Sequence, residues 1–333
     1  MKNMPGPTVF RRFLQGAIAL FCLYVGYCFH AFLSWVHNGG PAVPRPASVE
    51  AFLPISALMG LKRYVLTGLW DNVHPAGLVI LLAAIGMALL FRKGFCGYVC
   101  PVGLASNLLA KLGKKMSLAF TLPRWPSRVL SVFKYVWLAF FLVNVLSMPV
   151  AALNQFLMSP YNLTADARML EFFTSPSAKA LMAFAVLAVL GIVFRNFWCR
   201  YLCPYGAFLG LFSWMGPMAV QRDADACVHC GKCAKACPSS IQVDTKARVT
   251  SPECIGCMAC VEACPVEGCI QLGVGYGSGT GQVKEGRTSL PFWAVGAGCI
   301  GLLILGYVLA SVSGHWDNAL PANMLRMLYL RGA

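Results

Sequence analysis

Five apolar stretches dominate the chain, at residues 13–35, 75–91, 129–150, 180–197 and 290–311. Each approaches or reaches the roughly 20 residues an α-helix needs to cross the hydrocarbon core of a bilayer, so the pattern predicts five transmembrane helices. A sixth stretch, residues 52–70, is interrupted by Pro54 and carries Lys62 and Arg63 at its centre. Charge at mid-bilayer is costly, and this stretch is expected to be a surface or re-entrant segment. Residues 104–118 interleave apolar positions with Lys111, Lys114 and Lys115, which predicts an amphipathic helix on the membrane surface, either a lipid-facing connector or a docking element. Residues 273–286 are glycine-rich and polar, the composition of a linker.

Composition agrees with the pattern. Hydrophobic residues make up 58% of the chain and charged residues 12%, with a mean hydropathy of +0.65, well outside the range of a soluble domain. The net charge of +15 is a matter of topology and excludes a nucleic-acid footprint. Arg11, Arg12, Arg92, Lys93, Lys111, Lys114, Lys115, Arg124, Arg128, Arg195 and Arg200 all flank helix ends on one side, which the positive-inside rule makes cytoplasmic. The loops at residues 36–74 and 151–179 carry few charges of mixed sign. The expected arrangement is an inner-membrane protein with its N-terminus and residues 198–289 in the cytoplasm and its C-terminus in the periplasm. The first apolar run is too long for a signal h-region and lacks a small-residue cleavage site, so it is expected to remain as an anchor.

Of sixteen cysteines, two groups read C-x2-C-x2-C-x3-C-P, at Cys227/Cys230/Cys233/Cys237 and Cys254/Cys257/Cys260/Cys264. Bacterial ferredoxins hold two 4Fe-4S clusters with this spacing, the fourth cysteine of each run serving the other cluster. Cys227, Cys230, Cys233 and Cys264 are therefore the expected ligands of one cluster, and Cys254, Cys257, Cys260 and Cys237 of the second. Small residues between them, such as Gly231, Ala234, Gly256 and Ala259, let backbone amides approach sulfur. Structural zinc would instead use two separated C-x2-C pairs, and a reducing cytosol disfavours disulfides.

Two further pairs lie in an internal repeat. Phe91-Arg92-Lys93-Gly94-Phe95-Cys96-Gly97-Tyr98-Val99-Cys100-Pro101-Val102-Gly103 is echoed by Phe194-Arg195-Asn196-Phe197-Trp198-Cys199-Arg200-Tyr201-Leu202-Cys203-Pro204-Tyr205-Gly206. Two parallel membrane hairpins would each deliver a C-x3-C-P to the cytoplasmic face, and such repeats build sites at their junction. Cysteines four apart share a helical face, so Cys96, Cys100, Cys199 and Cys203 are candidates for a third redox or metal centre. Reduced thiols or a reversible disulfide are the plainer alternative. His30, His37 and His74 lie near predicted helix ends, where a haem or quinone role competes with ordinary hydrogen bonding. Cys22, Cys28 and Cys299 read as small core residues, and Cys269 as a spectator thiol.

The twin motifs FCGYVCPVG and WCRYLCPYGA, followed by a two-cluster segment, resemble the NapH/NosR/CcoG group of membrane polyferredoxins, over roughly residues 76–270. In outline the chain is most similar to the NapH type, although here a fifth helix and a tail follow the ferredoxin segment. The periplasmic flavin-binding domain of the NosR type is missing from this sequence, and the stretch after Ser311 is too short for the periplasmic domain of the CcoG type. The resemblance implies electron transfer between the quinone pool, the cytoplasm and a partner redox enzyme, or a part in metalloenzyme maturation.

The expected fold is mainly α, a polytopic membrane protein with an inserted α+β two-cluster ferredoxin-like domain. Its parts are residues 1–128 and 129–220 (two hairpins), 221–272 (ferredoxin-like domain), 273–289 (linker) and 290–333 (fifth helix and tail). The expected cofactors are two 4Fe-4S clusters, with a further metal or iron–sulfur centre and a quinone as candidates. The expected partners are membrane lipid and a redox protein. The chain reads as an electron-transfer component with no nucleophile, P-loop or dinucleotide motif of a stand-alone enzyme. Handling of copper or another soft metal at the C-x3-C-P pairs, and redox sensing, are the alternatives.

Overall fold

A computed structural model describes residues 6–332 except 121, 275–289 and 319. Most of the linker expected at residues 273–289 lies outside the described residues. The chain is mainly helical: α1 (Pro7–Asn38), α2 (Pro54–Thr67), α3 (Pro75–Phe91), α4 (Pro101–Lys115), α5 (Arg124–Ser147), α6 (Val150–Leu157), α7 (Pro160–Leu163), α8 (Ala165–Thr174), α9 (Ala178–Val193), α10 (Pro204–Met215), α11 (Lys232–Ala236), α12 (Ala259–Glu262), α13 (Phe292–Val312) and α14 (Ala322–Gly332). Strands β1 (Met218–Arg222), β2 (Arg248–Val249) and β3 (Ile270–Val274) form one small sheet.

All five expected apolar stretches are helical. Among the described residues, α1, α5 and α13 are long and apolar enough to cross a membrane, and α8 with α9 forms a fourth candidate bent by 73°. Helix α3 has 17 residues, about 26 Å at 1.5 Å per residue, slightly short of the roughly 30 Å hydrocarbon core. Helix α9 stops at Val193, earlier than its apolar run suggests. The segment with Pro54 forms a 14-residue helix that Pro54 starts at its first turn, where the missing N–H costs nothing. Lys62 donates from it to the carbonyls of Val145, Leu146 and Met148 at the end of α5, which satisfies orphan acceptors and complements the helix dipole there.

The chain folds into two compact units. The first comprises Met1–Ala19, Ala84–Leu138 and Leu187–Leu302, and the second Leu20–Ala83, Ala139–Val186 and Leu303–Ala333. In the first, Ala84, Ala88 and Leu209 form a buried core flanked by Phe95, Cys96, Tyr205 and Phe208. The sheet has the order β2-β1-β3, both pairings antiparallel, with Val220 opposite Val249 and Leu272. Its residues Ala219, Val220, Val249 and Leu272 are buried and carry the loops that bear the ferredoxin cysteines.

In the second unit, Phe29, Phe32, Trp35 and Val36 of α1 pack with Val49, Ala167 and Tyr329. Beside this core lies a dry polar network. Arg45 donates to Glu50 at 2.8 Å and to Asp166 at 2.7 Å, and the Tyr329 hydroxyl donates to the same Asp166 oxygen at 2.7 Å. The second oxygen of Glu50 accepts the Gly77 amide at 2.9 Å, and His74 closes the network between Glu50 and the Asn162 carbonyl. Four chain-distant segments, around residues 45–50, 74–77, 162–166 and 329, are tied together by these bonds.

Candidate functional site

Each ferredoxin loop repeats one backbone signature. His229 and Gly231 in the first, and Gly256 and Met258 in the second, have φ between 51° and 66°. These are the second and fourth positions after Cys227 and Cys254 respectively, and left-handed residues spaced in this way turn successive amides toward one concavity. Cys227, Cys230, Cys233 and Cys264 line a single open cavity, with Cys269 beside them. The other set is buried: Cys237, Cys254, Cys257 and Cys260 are 9% exposed or less. Burial pushes the Cys237 thiol up to about 12, with Cys257 and Cys254 adding to the rise and the Ile241 amide opposing it. That amide donates to the Cys237 sulfur at 3.4 Å. Cys264 thus lines one cavity with the first triplet, and Cys237 interacts electrostatically with Cys257 and Cys254 of the second.

The C-x3-C-P segments differ from the expected helical face. Phe95–Val99 and Trp198–Leu202 are each one π-helical turn, closed by the Cys100 amide on the Phe95 carbonyl at 2.9 Å and the Cys203 amide on the Trp198 carbonyl at 3.0 Å. Each pair then ends on an extended cysteine that caps the next helix, Cys100 for α4 and Cys203 for α10, with proline in the first turn. The Cys203 sulfur accepts the Gly206 amide at 3.3 Å, and the positive end of a helix favours a thiolate. The four thiols interact electrostatically: burial lifts the Cys96 thiol well above its usual range, Lys93 opposes that rise, and the charges of Cys100, Cys203 and Cys199 add to it. Cys199 is pushed up to about 12 by burial and by Cys203 and Cys100. Among the described residues no three His, Cys, Asp or Glu side chains are grouped as a single metal ion requires. Thiolates around a cluster stand further apart than around one tetrahedral ion.

Both repeats grip the ferredoxin segment. The equivalent arginines both do so, Arg92 with one of its two bonds and Arg195 with both. Arg92 donates to the carbonyls of Ser213 and Ser251 at 2.6 and 2.5 Å, and Arg195 to those of Lys235 and Ala236 at 3.0 and 2.9 Å. The Lys93 amide donates to the Cys254 carbonyl at 3.3 Å, the Tyr98 hydroxyl to the Gly256 carbonyl at 3.3 Å, and Asn196 to the Pro238 carbonyl at 3.4 Å. Gly97 lies so close to the Ile255 carbonyl that a Cβ there would collide with it. Its counterpart in the second repeat is Arg200, which bonds Ser240 at 3.0 Å and Ser127 at 2.8 Å. Every one of these ferredoxin contacts flanks Cys237 or Cys254–Cys257, and none touches the loop of Cys227–Cys233.

Buried cations surround the thiols. Arg11 is 4% exposed, and its Nε and one terminal nitrogen have no hydrogen-bond partner among the described residues; the same holds for both polar atoms of Gln15, one helical turn on. The Arg11 charge reaches Cys257, whose thiol burial pushes up and Arg11 draws back down. Lys93 and Lys134 meet at Glu253, the residue before Cys254, at 3.3 and 2.6 Å. Their ammonium charges hold the part-buried Glu253 carboxyl down to about 2 against its burial, helped by a bond from Tyr135. Unsatisfied donors and surplus positive charge beside clustered sulfurs suit an anionic iron–sulfur group, since a buried cation is otherwise left uncompensated.

As site residues Gln15, Lys134 and Glu253 escaped the sequence reading, while Arg11 entered it only as a flanking charge and Tyr205, which interacts electrostatically with Cys96, Cys100 and Cys203, only as a motif position. Lys134 did leave a signal, as a charge inside an apolar stretch. The three histidines are not gathered. His74 is buried in the polar network of the second unit, whereas His30 and His37 are exposed. Cys299 is fully buried, while Cys22 and Cys28 are half-buried. Cys269 lines the first cavity and sits against Cys264 and Cys227.

Residues 73–118 and 179–222 match a family model described as a 4Fe-4S binding domain, and residues 219–265 one described as a 4Fe-4S dicluster domain. YccM of Escherichia coli (strain K12), whose name proposes an electron transport role, is 36% identical over 96% of this chain and 90% of its own length. The methylamine utilization ferredoxin-type protein MauN of Paracoccus denitrificans is 29% identical over 51% of this chain and 56% of its own. The ferredoxin-type protein NapH of Escherichia coli (strain K12) is 27% identical over 54% of this chain and 59% of its own. No solved structure matches the chain.

Proposed function

Because the chain belongs to the ferredoxin-type membrane proteins with 4Fe-4S domains, we propose that it is an electron conduit with three iron–sulfur centres in series. The first is held by Cys227, Cys230, Cys233 and Cys264, the second by Cys254, Cys257, Cys260 and Cys237, and the third by Cys96, Cys100, Cys199 and Cys203. When bound, such clusters accept and release one electron at a time. The protein's own contribution is order, spacing and potential.

One observation carries this reading: both C-x3-C-P turns bind the backbone flanking Cys237 and Cys254. The second cysteine set is thereby held against the third, while the first opens to solvent around Cys230. A soluble redox protein would exchange electrons at the open set, and a membrane partner or quinone at the C-x3-C-P set. We place the ferredoxin segment on the cytoplasmic side of an inner membrane, on the strength of the basic residues that flank the helix ends.

Iron, sulfide and copper analysis with EPR on anaerobically purified protein tests the proposal. About twelve irons per chain are expected, since each cubane holds four, with loss of one signal in Cys96→Ser and in Cys203→Ser. About eight irons, unchanged in both variants, would remove the third centre, and copper at these cysteines would favour metal handling instead.

A further inference from the structure

Behind the C-x3-C-P thiols, three charged side chains meet with unequal signs. Lys93 and Lys134 both contact Oε2 of Glu253, and the neutral Tyr135 hydroxyl donates to Oε1 at 2.9 Å. The two lysine side chains are at most 4% exposed. Two ammonium groups against one carboxylate, itself 24% exposed, leave a single positive charge over, carried by lysine side chains that solvent barely reaches. A buried charge is tolerated when another group balances it.

Lys134 also lies over the Tyr135 ring, 5.4 Å from its centroid, and both ammonium groups act on the neighbouring thiols. The Lys93 charge acts on Cys96, Cys199 and Cys203, and the Lys134 charge on Cys203. Protonated thiols offer no counter-charge, whereas four thiolates around an iron–sulfur core carry net negative charge that grows by one when the core takes an electron. A fixed cation beside such a group stabilises the reduced form more than the oxidised form. Its potential rises accordingly, and a fixed anion lowers it. Lys134 also explains its own presence in this way, since an ionisable residue within an apolar stretch is retained where it has a charge to serve.

We propose that Lys93 and Lys134 are positioning residues that raise the reduction potential of the centre at Cys96, Cys100, Cys199 and Cys203, with Glu253 set between them as the opposing charge. The inference rests on the reading that these thiolates hold an iron–sulfur centre. Glu253 immediately precedes Cys254, so the same carboxylate borders the second centre as well. The potentials of the two neighbours are thereby linked through one side chain.

The test is an EPR-monitored redox titration of the full-length protein at one pH, following the signal that Cys96→Ser removes. Lys134→Met should lower its potential and Glu253→Gln should raise it. The double variant Lys134→Met/Glu253→Gln restores the original local charge and should return the potential close to that of the parent, as should Lys134→Arg alone. The signal of the solvent-open centre at Cys227, Cys230, Cys233 and Cys264 should stay in place throughout. Should Lys134→Met fail to assemble, Glu253→Gln alone decides, because a merely structural role gives no reason for an upward shift. A third signal whose potential ignores these substitutions overturns the inference and leaves the three-centre reading standing. Iron content unchanged by Cys96→Ser, with no third signal, overturns that reading and the inference with it.

Discussion

The guanidinium of Arg195 donates to the carbonyl of Ala236 at 2.9 Å, one residue before Cys237. The same side chain holds the Lys235 carbonyl, so one arginine of the second repeat fixes the backbone leading into Cys237. Arg195→Ala should cost about 2 kcal/mol locally, taking the lower end for charge-assisted bonds because one of the two is exposed. Hydrogen exchange should quicken roughly tenfold or more at residues 235–240, with the sheet amides of Val220 and Leu272 unchanged. Equal acceleration across the whole ferredoxin segment would mean that the arginine does not act locally.

Gly97 allows the first C-x3-C-P turn to lie against the Ile255 carbonyl. Gly97→Val forces backbone away from backbone, and overpacking of this kind costs about 1–3 kcal/mol. Lower thermal stability and loss of iron are expected, with the second and third signals weakened before the first. The reverse substitution at the counterpart, Arg200→Gly, removes bonds to Ser240 and Ser127 without any clash, and its effect should be the milder of the two.

The two ferredoxin cysteine sets differ in exposure. Cys230 is exposed, whereas Cys254, Cys257 and Cys260 are buried. Limited exposure to oxygen or ferricyanide should therefore destroy the first signal before the second, because oxidant access controls cluster loss. Simultaneous decay of both would contradict the burial difference.

His74 makes the second unit pH-sensitive. Burial alone lowers its pKa, but the hydrogen bond and charge of Glu50 outweigh burial and the repulsion of Arg45, with Asp166 adding to the net rise above the usual 6.5. Tyr329 is the remaining titratable member of the network. A raised folded pKa gives a stabilisation that is complete below the unfolded value near 6.5 and is lost as pH climbs through the folded value. Thermal stability in nanodiscs should accordingly fall between pH 6.5 and the neutral-to-alkaline range. His74→Gln keeps a donor for the Asn162 carbonyl without a titrating charge, and should flatten that fall; an unchanged pH profile would show that His74 does not titrate there.

The apolar runs were enough to place the long helices, because hydrophobic length leaves a helix few alternatives in a bilayer. The end of α9 at Val193 was hidden, since the apolar run continues beyond it to Phe197. The C-x3-C-P pairs were legible as pairs but not as shapes. Their spacing suggests an α-helical face, and the backbone instead adopts a π turn ending on a capping cysteine, a choice made by the groups that close the turn and follow it.

Cysteine spacing, apolar length and the doubled motif around Cys96 and Cys199 were set by the sequence itself, for these are properties of positions along a chain. Lys134 and Glu253 are 119 residues apart, and Arg45 and Asp166 are 121 apart. No local pattern can pair them, because charge balance in a buried site is decided by whatever the fold brings within a few ångströms. The tertiary structure alone therefore determined which cysteine set is held against the C-x3-C-P turns and which cations surround it.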